Sequence, residues 1–437
     1  MAEDPSAAQG GARLRDQLAS PYALTAIAAL VVFVILITGS PTFLIYDEGY
    51  YMAGATMLAG GASFRELLLA PLNVPAGPLY SVTHWLASPF TGLEAPGVRW
   101  VSFVLLVATW GATGYVLAAQ KLDAPWRRAA MLLAVPMLWV TSGMALTEGP
   151  AMAFVCFAVA AAAWAMTGQK KARVWAGFLI AGLCFGLAVL GRQPYLPAAI
   201  GFLCIALFRA RLRWPALAAF LIVLGATAPV FAIWGGILPP RMAGEVSGGR
   251  LAPFNGFLAF CYLGVMLAIL APDFFLKQWR VALPAGIIGA VIGLIVGGVG
   301  FEVAAGLVAR LPEDYAPLFQ RVAAGALMGG ALAVIAASGA HLWARRDDHA
   351  FVLCMLLMLG LTATAAGIVH QFSSRYVLAT LPFSLIVIQP FFRVSHWAAL
   401  RLAIGALLGM AFLSNYFALD PFTTDCTHGP YGVYCSR

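Results

Sequence analysis

Charge is what this 437-residue chain has least of. Only 10% of its residues are Asp, Glu, Lys or Arg, and 62% are hydrophobic. A soluble domain carries about 25% charged residues, so one water-soluble core is excluded and a polytopic membrane protein is indicated. Lysine is nearly missing: four of the 26 basic residues are Lys and the rest Arg. With abundant Ala and Gly, that bias points to a bacterium with a GC-rich genome. No CxxC and no Cys/His cluster is present, so a zinc module has no ligands. Cys156, Cys184, Cys204, Cys261 and Cys354 lie in apolar runs and read as inert core residues, whereas Cys426 and Cys435 lie in a polar tail and can pair if that tail faces an oxidising compartment. No low-complexity tract, clear repeat or soluble domain is apparent.

The net charge of +8 does not signal nucleic acid, because the basic residues sit in short clusters between apolar runs. Runs near the required ~20 residues occur at 22–40, 98–119, 127–146, 149–168, 173–190, 194–208, 214–236, 254–271, 281–303, 317–341, 350–369, 376–392 and 398–416. That predicts an all-α bundle of about 13 transmembrane helices. Arg13 and Arg15 precede the first run, but "TGSP" is a poor cleavage site, so the run reads as an uncleaved span.

The segment 76–92 either spans or lies at the interface, and charge decides. If it lies flat, the clusters Lys170, Lys171, Arg173; Arg209, Arg211, Arg213; and Arg345, Arg346 share one side with the N-terminus. The positive-inside rule makes that side cytoplasmic. The expected organisation is a cytoplasmic tail 1–21, a single membrane domain 22–417, and an outward tail 418–437. The first outer loop, 41–97, holds two interfacial helices near 47–59 and 76–90. In the first, Tyr51, Met52, Ala55 and Leu58 share the face expected to rest on the bilayer. A second outer loop, 237–253, contains "PPRMAGEVSGGR" and reads as mobile.

Ionisable residues are almost missing from the middles of the spans, where ion-coupled carriers need them. They gather instead at the outer ends: Asp47, Glu48, Glu148, Arg192, Glu302, His370 and Arg375. That distribution suits chemistry at a membrane surface. Asp47 is either the cap of the helix that follows or a general base, its proton affinity raised by burial beside Glu48. Glu148, before Pro150, is either a helix-start acid or a second site carboxylate. Arg192 either snorkels to headgroups or, with Gln193, faces a phosphate; Arg375 is similar, with His370 and Tyr376 nearby, and Arg250 is a third phosphate candidate. His84 and Trp85 read as anchors of the second interfacial helix. Gly289, Gly293 and Gly297 read as a helix-packing seam.

The outward Asp-Glu pair followed by "GYYMAGATMLAGG" resembles the GT-C glycosyltransferases, in particular the dolichyl-phosphate-mannose protein mannosyltransferase-like group that includes bacterial aminoarabinose and galacturonic acid transferases. "NVPAGPLY", the Arg99 of "APGVRWVSF", the acid at Glu148, "LGRQPYLP" and "SSRYVLATLPF" are similar to family segments. The chain departs from the family at Ala76-Gly77-Pro78-Leu79, where a His/Lys-Pro-Pro-Leu sequence is usual, in having Glu rather than Asp as the second acid, and in lacking a soluble C-terminal domain.

The resemblance implies a GT-C-like fold and an inverting transfer of a sugar from a polyprenyl-phosphate donor to a hydroxyl acceptor of the cell envelope. The acceptor is a glycolipid, lipopolysaccharide, glycan or protein. The place is the outer face of a bacterial inner membrane. Asp47, Glu48 and Glu148 would be catalytic; Arg375, Arg192 and Arg250 would hold the donor phosphate; Tyr50, Gln193, His370 and Tyr376 would position substrate. Beyond the polyprenyl-phosphate-linked sugar donor no cofactor is identified; a divalent cation on Glu48 or Glu148 stays open, as does the oligomeric state. A transporter or flippase of a lipid-linked saccharide, or a non-catalytic assembly protein, are the competing classes.

Overall fold

The computed structural model describes residues 20–72, 74–242, 251–297, 312, 314–368 and 372–418, and the backbone alone of 349–350, 425–429 and 432–436. Numbering the described helices of twelve or more residues in chain order gives α1 (Pro21–Thr38), α2 (Glu48–Ala59), α3 (Leu79–Thr91), α4 (Gly97–Ala119), α5 (Glu148–Thr167), α6 (Lys171–Gly191), α7 (Arg213–Trp234), α8 (Pro253–Leu270), α9 (Trp279–Val296), α10 (Ala316–Ala344), α11 (His349–Ala363) and α12 (His396–Phe417). Two short strands, Asp425–Gly429 and Gly432–Ser436, pair antiparallel and set Cys426 opposite Cys435. The side chains of that hairpin lie outside the described residues.

Nine of the thirteen expected spans are continuous helices of 18 residues or more, long and apolar enough to cross a membrane. The other four are broken or short. Residues 125–143 form Pro125–Ala129, a 3-10 segment Ala130–Ala134 and Pro136–Gly143. Pro136 has no N–H to give and its ring crowds the preceding turn, so the helix restarts there. Residues 375–391 split in the same way into Arg375–Leu378, Leu381–Val387 and a 3-10 turn at Gln389–Phe391, with Pro382 and Pro390 at the restarts. Residues 193–208 begin as a 3-10 helix before Ile200–Phe208, and α11 ends in a 3-10 turn, Thr364–Gly367. The 375–391 pieces are largely buried in protein, where an irregular backbone is tolerated at membrane depth.

Lipid tails are as apolar as Leu, so close backbone approach rather than the hydrophobic effect must hold neighbouring helices. A Cβ on Gly182 of α6 would lie 2.6 Å from the Ala219 carbonyl of α7. Between α9 and α10, Gly289 and Gly293 abut the Met328 and Ala324 carbonyls, and Gly329 abuts that of Gly286. Two of the three glycines of the expected seam therefore lie in it. Gly297 does not: it ends α9 at φ 63°.

The first loop returns to the end it started from. The Gly77 amide donates to the Gly191 carbonyl, at the end of α6, and Arg99, just past α3, reaches back to residues 40–48. With 13 residues α3 is about 20 Å long, short of the ~30 Å hydrocarbon core. Leu79–Thr91 is therefore not among the helices long enough to cross a membrane. At the opposite end Arg211 donates to the Gly168 carbonyl and Arg209 to that of Asp347, which brings three expected basic turns together.

The inner face of α2 and His84 of α3 sit otherwise than expected. The Tyr51, Met52 and Ala55 face of α2 is buried against protein and not laid on the bilayer, because Gly54 lets α3 approach until Ser81 fills the space a Cβ would need. On α3, Trp85, Leu86 and Phe90 are exposed, whereas His84 is fully buried beside Tyr80, with both ring nitrogens unpartnered. Burial pushes its pKa down from 6.5 to about 3. The folded state holds the ring neutral and the unfolded chain takes up a proton below pH ~6.5, so stability is intact above that pH and falls as pH drops toward 3. Between pH 7 and 5 this amounts to about 2 kcal/mol. The thermal midpoint of the purified protein should fall over that range, and His84→Leu should flatten the dependence. An unchanged slope in the variant would exclude His84 as its source.

Candidate active site

The adjacent acids Asp47 and Glu48 have opposite surroundings. Glu48 and Arg99 are both completely buried. Arg99 Nε and Nη2 donate to the two carboxylate oxygens at 2.9 and 2.7 Å. Its other N–H groups donate to Ser40 Oγ at 2.8 Å and to the Pro41 and Phe43 carbonyls at 2.6 and 2.9 Å. All five guanidinium donors are thus used. Glu48 also accepts from the Ile45 and Ala145 amides at 2.9 and 2.8 Å, and the Phe417 ring lies 4.9 Å from the guanidinium. A carboxylate with four accepted bonds and no exposure has no lone pair for substrate or cation. The catalytic and metal-binding roles expected of Glu48 are replaced by a structural one.

That anchor presents Asp47 to a cavity. Tyr46 is held at φ 54°, a left-handed backbone that a bulky residue adopts only when its surroundings impose it. Burial, with Asp47 alongside, pushes the Tyr46 phenol up to about 12. Asp47 occupies the cap position of α2, yet its carboxylate makes no capping bond. It accepts instead from Arg375 Nη1 at 2.6 Å and from the Tyr51 hydroxyl, one helical turn on, at 3.1 Å. Arg375 comes from the broken segment 375–391, and its Nε lies 3.8 Å from Glu148 Oε1. Glu148 opens α5 and faces Arg192 Nη2 at 3.0 Å; Arg192 also donates to Thr147 Oγ1. The Tyr376 ring lies against both guanidiniums. The result is an alternating row, Asp47, Arg375, Glu148, Arg192, with no net charge and with side chains 4–22% exposed.

The row lines a cavity of about 400 Å³, within the usual size of small-molecule sites. Tyr51, Gln193, Tyr195 and Tyr376 complete its polar wall, and Leu238, Met242, Leu361, Ala365 and Ile368 form an apolar one. Of the expected site residues, Asp47, Glu148, Arg192, Gln193, Arg375 and Tyr376 meet here. Tyr50 does not; it packs, half-buried, against the main core. Arg250 and His370 lie outside the described residues. Among the described residues, no three His, Cys, Asp or Glu side chains gather in a metal-ligand arrangement. Tyr51 and Tyr195 were not expected. The spacing of Tyr51 four residues after Asp47 on a helix was a usable signal; Tyr195, behind Pro194, offered none.

These features define a multi-pass helical membrane protein with a cavity lined by ion-paired and apolar side chains at one end of its bundle. No family model matches the chain, and no curated protein does. Among solved structures it is similar to ArnT from Cupriavidus metallidurans bound to undecaprenyl phosphate, at 17% identity and a TM-score of 0.47, covering 91% of this chain and 78% of that one. The apo state of the same protein aligns at 16% identity and a TM-score of 0.43 over 91% and 77%. The Archaeoglobus fulgidus oligosaccharyltransferase complex with zinc and sulfate aligns at 13% and 0.33, over 84% of this chain and 53% of that one.

Removing one partner of a buried ion pair strands the other and costs about 3–5 kcal/mol. Arg99→Met and Glu48→Gln should each sharply lower the yield of folded protein and its thermal midpoint. Recovery of either variant at the wild-type midpoint would show that the pair does not anchor the loop.

Proposed function

We propose that this chain is a GT-C-type inverting glycosyltransferase, moving a sugar from a polyprenyl-phosphate donor to a hydroxyl of a cell-envelope acceptor. The observation that supports this most is the placement of Asp47: a carboxylate at a helix start that leaves the cap unmade and faces a cavity, held there by Tyr51 and Arg375. A mixed polar and apolar cavity suits a lipid phosphate, with the charged head against Arg375 and Arg192 and the chain along Leu238, Leu361 and Ile368.

The charge row suggests the order of events. The donor phosphate competes with Asp47 for Arg375, and binding frees that carboxylate. Asp47 then takes the proton of the acceptor hydroxyl, whose oxygen attacks the anomeric carbon opposite the phosphate. The bond from that carbon to the phosphate oxygen breaks, and the configuration inverts. The electron pair stays on the lipid phosphate, where the guanidiniums offset its added charge; in a site screened from water they act more strongly than at a surface. Glu148 keeps Arg192 in place. The donor polyprenol is a membrane lipid, and the site belongs on the outer face of a bacterial inner membrane with the N-terminus cytoplasmic.

General-base catalysis contributes about 10²–10⁴-fold. In membranes with equal folded protein, Asp47→Asn should slow the gain of one sugar mass by an envelope acceptor at least about 100-fold. Equal rates would reduce Asp47 to a structural residue. Passage of a lipid-linked sugar across the bilayer with no transfer by the wild type would put a transporter in the enzyme's place.

A further inference from the structure

The cavity holds hydrogen-bonding groups that the charge row does not use. Tyr195 is 1% exposed and Gln193 7%. Both line the cavity, yet the Tyr195 hydroxyl and one end of the Gln193 amide have no partner in the protein. A buried polar group left unmade is costly, commonly more than a made bond returns. Two such groups on one short 3-10 helix, Gln193–Ala199, in the wall of one cavity, indicate a ligand that satisfies them.

Their position says which part of the ligand. Gln193 follows directly on Arg192, which closes α6 and faces Glu148. The neutral pair therefore flanks the guanidiniums assigned to the phosphate, where the ring attached to that phosphate must lie. Their chemistry says what kind of ring. A phenol and a carboxamide are uncharged and exchange hydrogen bonds with hydroxyls and ring oxygens. An ammonium or carboxylate set against them would be desolvated with no counter-charge of its own, since with donor bound Arg192 and Arg375 hold the phosphate, Glu148 stays on Arg192 and Asp47 takes the acceptor proton. We infer that Gln193 and Tyr195 form a sugar-binding subsite that selects an uncharged sugar on the donor lipid. The inference rests on the transferase assignment above and adds the substrate class.

The test uses the full chain in lipid nanodiscs and measures the affinity of five probes: undecaprenyl phosphate, its glucosyl, galactosyl and mannosyl esters, and its galacturonosyl ester. The best uncharged ester should bind at least about 10-fold more tightly than the bare phosphate, and the galacturonosyl ester no more tightly than the bare phosphate. Tyr195→Phe, which keeps the ring, and Gln193→Leu should each reduce that gain about 3- to 10-fold and leave the affinity for undecaprenyl phosphate unchanged. A thermal midpoint near that of the wild type verifies folding, and either variant alone suffices. Preference for the charged ester, a gain untouched in both variants, or an equal loss for the bare phosphate would each overturn the subsite. If undecaprenyl phosphate itself does not bind the wild type, the transferase assignment falls and the subsite with it; if it binds and no ester gains, only the subsite falls.

Discussion

The buried Arg99–Glu48 pair is the constraint on which the site depends. Its value is not net stability, since a buried ion pair roughly repays its own desolvation. It is position. One guanidinium, fully spent, ties the exit of α1, residues 40–43, to the start of α4, while Glu48 reaches across to the Ala145 amide just ahead of α5. Adjacent residues on a helix point about 100° apart, so fixing Glu48 inward turns Asp47 toward the cavity. The strained backbone at Tyr46 is where the chain absorbs that demand. Two carboxylates side by side in sequence thus become one buried anchor and one that faces the cavity.

The second carboxylate meets a partner 328 residues away in sequence. Arg375, Gln193 and Thr364 all stand where helices are interrupted: a four-residue helix, a 3-10 helix and a 3-10 turn. Irregular backbone is costly in lipid unless protein surrounds it or it lines a cavity. Here the interruptions line the cavity wall, and the long, small-residue helices pack outside them. The cavity wall thus joins the starts of two continuous helices, at Asp47 and Glu148, to these interrupted segments.

Much of this was legible in the sequence. Apolar length predicted thirteen spans, nine of which are continuous helices, and three of the basic clusters do meet at one end of the bundle. The gathering of Asp47, Glu148, Arg192 and Arg375 followed from their common place at span ends. Hydropathy could not separate a continuous span from one restarted at Pro136 or Pro382, because those segments are equally apolar. Nor could it separate Asp47 from Glu48. That difference is made by Arg99, 51 residues on, whose pairing is a fact of three dimensions. His84 misled for the same reason: its place beside Trp85 suggested an interface, whereas packing against Tyr80 buries it.

The most direct test of this account is an experimental structure of the chain with undecaprenyl phosphate bound. The phosphate should sit against Arg375 and Arg192, the Arg375–Asp47 contact of 2.6 Å should open, and the Arg99–Glu48 pair should stay as it is. A lipid phosphate bound elsewhere, with Asp47 and Arg375 still joined, would contradict it.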